Sequence, residues 1–321
     1  MKKKLNKILF ITTSLFFSIQ NVFGATYNTF VYNMEDEDNN VIKRYFDGES
    51  AIQKSIKIGE HESDSINGYC IDVGAKLDER AYINRLEDLE DYLGYVLSES
   101  VSEEDVANKI NQYVQFGYGY KNQKSDKYLI ATQKLIWDEL YNVGYRKSHY
   151  GSNVTFKAGQ KEYDISNEET TIKNNIKNYY KTPSMCSSTS KLEIAVGETV
   201  TYEDTNKVLS NYEVICDDGL TCTVDEDVLK VTANSDIKDQ KIKFSKSGIN
   251  GSGTIIYKKE EQQAVLVGAE PIEGVSCEFG IDTYKNVQTS GAKIVGLISL
   301  SILSIMIAYI IITNNQQLKV E

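Results

Sequence analysis

The chain is predicted to be α+β: a mixed β and helical first domain, then a small Ig-like β-sandwich and a C-terminal transmembrane helix. Three observations predict this. Near Leu77 the hydrophobic spacing changes from two to three and four, the mark of strands followed by helices. After Pro183, short alternating runs recur at near-regular intervals with Gly- and Asn/Asp-bearing turns between them. From Ile294 to Ile312 the chain is apolar and uncharged for nineteen residues, about 28 Å as a helix.

The elements follow in order. Met1-Lys2-Lys3-Lys4, an apolar run from Ile8 to Ile19 and small residues at Gly24-Ala25 predict a signal peptide over 1–24. The first domain is placed at 25–183. Thr26 to Tyr32, Ala51 to Ile58 and Tyr69 to Val73 read as strands. Tyr82, Leu86, Leu89, Leu93 and Val96 share one helical face. A second helix is expected to open at Ser100-Val101-Ser102-Glu103, a capping-box pattern, with Val106, Ile110, Tyr113 and Val114 inward. A third runs from Thr132 to about Tyr141, and a fourth opens at the capping box Ser166-Asn167-Glu168-Glu169. The chain's two prolines, Pro183 and Pro271, mark boundaries. Between them the sandwich is placed at 187–268, with strands around Leu192–Val196, Val200–Tyr202, Tyr212–Val214, Val228–Val231, Ile242–Phe244, Thr254–Tyr257 and Ala264–Val267. A linker at 269–290 and the membrane segment at 294–312 complete the order, leaving the mature protein outside the cell and held at its C-terminal end.

A net charge of −11 argues against nucleic acid, which requires a basic face. It also argues against docking on anionic lipid. No glycine-rich phosphate loop or metal-ligand cluster is visible, so neither a cofactor nor a metal is expected.

Cys70, in Asn67-Gly68-Tyr69-Cys70-Ile71, and Gln133, in Ala131-Thr132-Gln133-Lys134-Leu135-Ile136-Trp137, lie 63 residues apart. A thiol and a carboxamide can condense, with loss of ammonia, to an internal thioester that acylates an amine. Such a bond needs a thiolate, donors for the developing oxyanion, and exclusion of water. Gln133 is expected in the first turn of its helix, with Thr132 as N-cap and the helix N-terminus supplying the donors. Trp137 and Leu140 fall on the same helical face as Gln133.

The tyrosine–cysteine–aliphatic run, followed downstream by glutamine, an aliphatic and a tryptophan, is similar to the thioester domains, also called TQXA domains, of Gram-positive surface adhesins. The resemblance covers residues 25–183. It implies that Cys70 is the thioester sulfur, Gln133 the acyl donor and Trp137 the shielding aromatic, with Tyr69 and Thr132 in the motifs. Leu135 stands where the family pattern has alanine, at a packing position. The resemblance further implies covalent capture of an amine, expected to be a lysine, on a host or neighbouring surface protein. The protein would then be a single-turnover binder and not an enzyme.

Five cysteines outside the cell leave one odd thiol. If Cys70 is consumed by Gln133, four remain, with three pairings. One of these closes a local hairpin through Cys216 and Cys222 and clamps the ends of the sandwich through Cys186 and Cys277. Before the membrane segment, Asn286-Val287-Gln288-Thr289-Ser290 resembles a sortase sorting pentapeptide, which implies sortase and peptidoglycan as partners. Val287 replaces the usual proline. Two other readings compete: a non-covalent structural wall protein, and a cysteine hydrolase or transamidase with Cys70 as nucleophile and His149 as base. With only two histidines, His61 and His149, the last has little to work with.

Overall fold

A computed structural model describes residues 27–46, 49–71, 82–85, 88–145, 154–188, 190–258 and 263–285. The predicted signal peptide, sorting pentapeptide, membrane segment and His149 lie outside these residues. Among the described residues, no helix is long and apolar enough to cross a membrane.

The chain forms two compact units, and the first is discontinuous: it takes residues 1–174 and 250–271, while the second takes 175–249 and 272–321. In the first unit six antiparallel strands close a barrel. Their order around it is Tyr27–Asn33, Lys54–Gly59, Ile66–Cys70, Val265–Val267, Ile255–Lys258 and Tyr82–Arg85. Closure removes the exposed edges that such short strands would otherwise present. Gly68 permits close packing of the wall, because a Cβ there would lie 2.5 Å from Val265 Cγ1. A second sheet orders Glu49–Ile52, Ile42–Phe46, Thr155–Ala158 and Lys161–Glu162.

Three capped helices follow in the same unit. Helix α1 (Leu89–Val96) opens on Asp88, whose side chain accepts from Asp91 N–H, and buries Leu89, Tyr92 and Leu93. Helix α2 (Glu103–Phe116) opens on Ser102, two residues later than the Ser100 start expected; Ser102 accepts from Asp105 N–H. Helix α3 (Asp126–Asn142) opens on Ser125 and buries Ile130, Ala131, Leu135, Ile136, Trp137 and Leu140, giving it the widest apolar face. Helix α4 (Ser166–Tyr180) has Ser166 inside its first turn, where its N–H donates to the Asp164 carboxylate.

The second unit contains two sheets. One orders Thr199–Glu203, Val228–Ala233 and Leu220–Asp225; the other orders Glu213–Cys216, Gln240–Lys246, Val275–Tyr284 and Leu192–Ala195, the last pair parallel. Ile194, Leu229, Val231, Ile242, Phe244, Phe279 and Ile281 from both sheets share one core.

Several expected strands are reassigned. Ile255–Lys258 and Val265–Val267, placed by their alternation in the sandwich, belong to the barrel instead. The last strand of the second unit is Val275–Tyr284, inside the segment expected to be a linker. Tyr82, read as the start of a helical face, is in a barrel strand paired with Tyr27–Asn33 and Ile255–Lys258. A spacing of three and four satisfied helical periodicity there, but the two available strand edges override it.

Candidate functional site

The site forms where a barrel strand ends against α3. Cys70 pairs with Val265 on one side, and Ile71 N–H donates to Ala264 O on the same side. On the other side the pairing with the neighbouring strand Lys54–Gly59 ends at Ile56, opposite Gly68. The peptide groups of Cys70 are met there by Gln133. Cys70 N–H donates to Gln133 Oε1 at 2.7 Å, and Gln133 Nε2 donates to Cys70 O at 2.8 Å. The carboxamide thus stands in for the peptide group of a missing strand. Two hydrogen bonds of opposite sense fix both its position and which of its ends faces which backbone atom.

Trp137, one helical turn beyond Gln133, donates its indole N–H to the same Cys70 O at 2.8 Å. All three are buried: Cys70 is 8% exposed, Gln133 6% and Trp137 1%. The expectation for α3 is corrected in one respect. The helix begins at Asp126, so Gln133 is its eighth residue and Thr132 lies inside it. The donor aimed at the Gln133 carbonyl oxygen is therefore Cys70 N–H and not a free helix N-terminus. Ser125, the actual cap, was missed because no acidic residue three positions on completes a capping box.

Thr132 acquires a different role. Its hydroxyl donates to Tyr128 O at 2.7 Å and accepts from Tyr118 N–H at 3.1 Å. It also hydrogen bonds the side chain of Tyr69. Burial pushes the Tyr69 phenol well above its ordinary pKa, an effect the Thr132 contact only partly opposes. One hydroxyl therefore joins the residue before Gln133 to the residue before Cys70 and to the turn after α2. Gly117 makes that turn possible: a Cβ there would lie 2.1 Å from Thr132 Oγ1. Gly117 and Tyr118 carry no recognisable motif, so sequence reasoning did not find them.

Lys134 is the amine nearest Gln133 in the sequence. Burial opposes its charge, but Asp138 at 2.7 Å and Glu169 at 3.3 Å hold its pKa above the usual value. An ammonium is not a nucleophile, so this amine is held out of reaction with its neighbour.

The remaining cysteines lie in the second unit. Cys186 is bridged to Cys277, with Cα atoms 5.9 Å apart, and Cys216 is bridged to Cys222. The latter pair joins strands of different sheets and does not close a hairpin ladder. Cys70 is in no disulfide. His61 is exposed at the start of a short 3₁₀ turn. Among the described residues there is no cluster of three or more His, Cys, Asp or Glu able to hold a metal.

Residues 67–182 match the family model of the thioester domain. Among solved structures, the chain is similar to the thioester domain of the Staphylococcus aureus TIE protein, with 22% identity and a TM-score of 0.48 over 82% of this chain and 100% of that one. It is similar to the Bacillus anthracis TIE protein at 11% identity and TM-score 0.34, over 80% of this chain and 48% of that one. The N-terminal thioester domain of fibronectin-binding protein SfbI from Streptococcus pyogenes gives 11% identity and TM-score 0.28, over 74% and 98%. No curated protein sequence matches the chain. The segment matched by the thioester domain model contains Cys70, Thr132, Gln133 and Trp137 together.

Proposed function

We propose that the protein is a cell-surface adhesin in which Cys70 and Gln133 condense to an internal thioester that captures an amine, a lysine of a protein ligand, in covalent linkage. The observation that carries this reading is the two-point contact of the Gln133 carboxamide with the Cys70 backbone.

The chemistry follows from that contact. The Cys70 sulfur, as thiolate, attacks Gln133 Cδ, and the charge gathers on Oε1, where Cys70 N–H already donates. Collapse of the tetrahedral adduct breaks the Cδ–Nε2 bond, and the nitrogen leaves as ammonia with the proton that the thiol lost. Trp137 N–H still satisfies Cys70 O after Nε2 has gone. Burial of all three side chains keeps water from the thioester. An incoming amine then forms an amide with Cδ, and the C–S bond breaks to return the thiol. Each domain reacts once, so it is a reactive binder and not a turnover catalyst.

The second unit, with two sheets and two disulfides, is read as an Ig-like spacer. The sorting pentapeptide at 286–290 is read as the sortase site that transfers the chain from the membrane, through 294–312, to peptidoglycan. Intact-mass measurement tests the central step. The protein should weigh one ammonia less than its sequence, gain methylamine at Gln133, and do neither when Cys70→Ala is introduced. A full-mass protein inert to methylamine would overturn the reading.

A further inference from the structure

Arg44 lies on the strand Ile42–Phe46, on the same phase as the buried Ile42 and Phe46, and is itself partly buried. Its guanidinium carbon is 5.4 Å from the centre of the Trp137 ring and 5.9 Å from that of Phe46. Its buried Nε–H has no acceptor among the described residues. Among the described residues, no carboxylate forms an ion pair with it. Lys134, a second cation close to the site, has two carboxylates. A partly buried cation without a counter-ion is costly, and stacking on an indole offsets only part of that cost. The ring on which Arg44 stacks is the one whose N–H holds Cys70 O. The unpaired cation is therefore one indole ring away from the reactive pair.

We propose that Arg44 is a recognition residue for the acceptor: it binds a carboxylate on the same ligand that supplies the amine. This rests on the thioester reading above and names the class of ligand, a lysine with an acidic side chain adjacent or next but one in an extended segment. Extended residues advance about 3.3–3.6 Å each, comparable to the span across one aromatic ring. A guanidinium meets a carboxylate with two parallel hydrogen bonds and so orients it, which an ammonium does not do. The net charge of −11 repels an acidic ligand at long range, so the gain from Arg44 is in placement at the site and not in the rate of encounter.

The test uses the intact protein and its Arg44→Met variant, whose side chain keeps the apolar stem against Trp137 and Phe46. Each is reacted with methylamine, with acetyl-Lys-Asp-amide and with acetyl-Lys-Asn-amide, and adducts at Gln133 are followed by mass. Methylamine uptake reports whether the thioester is present. The wild-type protein should couple the acidic peptide about tenfold faster than the neutral one, the equivalent of one charge-assisted contact. In Arg44→Met that ratio should fall to about one. A wild-type ratio of one, or a ratio unchanged in Arg44→Met, with methylamine taken up, overturns the role of Arg44 and leaves the thioester standing. No methylamine uptake by the wild type overturns both. Should Arg44→Met alone take up none, the wild-type ratio at low and high salt decides, because an Arg–carboxylate preference shrinks with screening and a steric one does not.

Discussion

The two units spend their buried polar groups differently. In the first, Gln133 is tied to the Cys70 backbone, and Thr132 to the neighbouring Tyr69 side chain, around a single unbridged thiol. In the second, all four cysteines are bridged, and Asp204, a fully buried carboxylate, serves the backbone. Asp204 Oδ1 accepts from Ser184 N–H and Asn206 N–H, and Oδ2 accepts from Val208 N–H and Leu209 N–H. One unit uses polar burial to hold a carboxamide against a cysteine, and the other uses it to hold a loop. An unbridged thiol and disulfides thus share one chain without sharing a unit.

Removing the long disulfide should give the largest effect and stay on one side of that division. Cys186 and Cys277 are 91 residues apart, and chain-entropy reasoning assigns such a loop about 4–5 kcal/mol. Cys186→Ser with Cys277→Ser should therefore lower the melting temperature of the second unit sharply while methylamine uptake at Gln133 persists. For Cys216 and Cys222, 6 residues apart, the same reasoning gives about 2 kcal/mol. Loss of uptake in the first double variant would show that the reactive site depends on the second unit's order.

Asp204→Asn comes next, at about 2–3 kcal/mol against the second unit, because an amide nitrogen would face backbone donors in place of an acceptor. Burial raises the Asp204 pKa, but the Ser184, Val208 and Asn206 N–H groups outweigh it, leaving the value below the ordinary 3.8. A depressed carboxylate contributes stability above its unfolded pKa and loses it as pH falls through the folded one. The second unit should therefore weaken in acid below about pH 4, and the variant should show a flatter stability profile there. Acid titration followed by circular dichroism checks this; equal slopes for both proteins would refute it.

That Cys70 and Gln133 meet was legible in the sequence because the proposed chemistry demands two specific residue types, and Trp137 because one helical turn separates it from Gln133. The helical lobe was legible from periodicity in α2, α3 and α4; α4 begins at Ser166 as expected, while the starts of α2 and α3 shifted with the caps actually used. The return of the chain into the barrel was not. Ile255–Lys258 and Val265–Val267 alternate like any half-buried strand, and nothing local distinguishes a strand that joins its neighbours from one that pairs with residues almost two hundred positions earlier. Pro271 does mark a boundary, the point where the chain leaves the first unit, but a further strand follows it. Arg44 escaped notice for a related reason. Ile42, Arg44 and Phe46 form an alternating triplet with a cation in the apolar phase, yet the strand carrying them was not expected.

Thr132→Val tests whether aiming and folding can be separated within the first unit. Valine keeps the shape of threonine but removes the hydroxyl, leaving Tyr118 N–H and the Tyr69 phenol without that partner. The stability cost should be modest, about 1–2 kcal/mol, since the apolar face of α3 is untouched. The effect on chemistry should be larger in proportion, because the same hydroxyl sets strand Ile66–Cys70 against α3 beside the reacting atoms. A folded Thr132→Val protein should carry a smaller fraction that has lost ammonia, and Thr132→Ser should restore it. Gly117→Ala should reproduce the defect from the opposite side, because its methyl would displace the same hydroxyl. If Thr132→Val loses ammonia as completely as wild type at equal stability, the two hydrogen bonds between Gln133 and Cys70 are sufficient to aim the pair, and the hydroxyl only helps the unit fold.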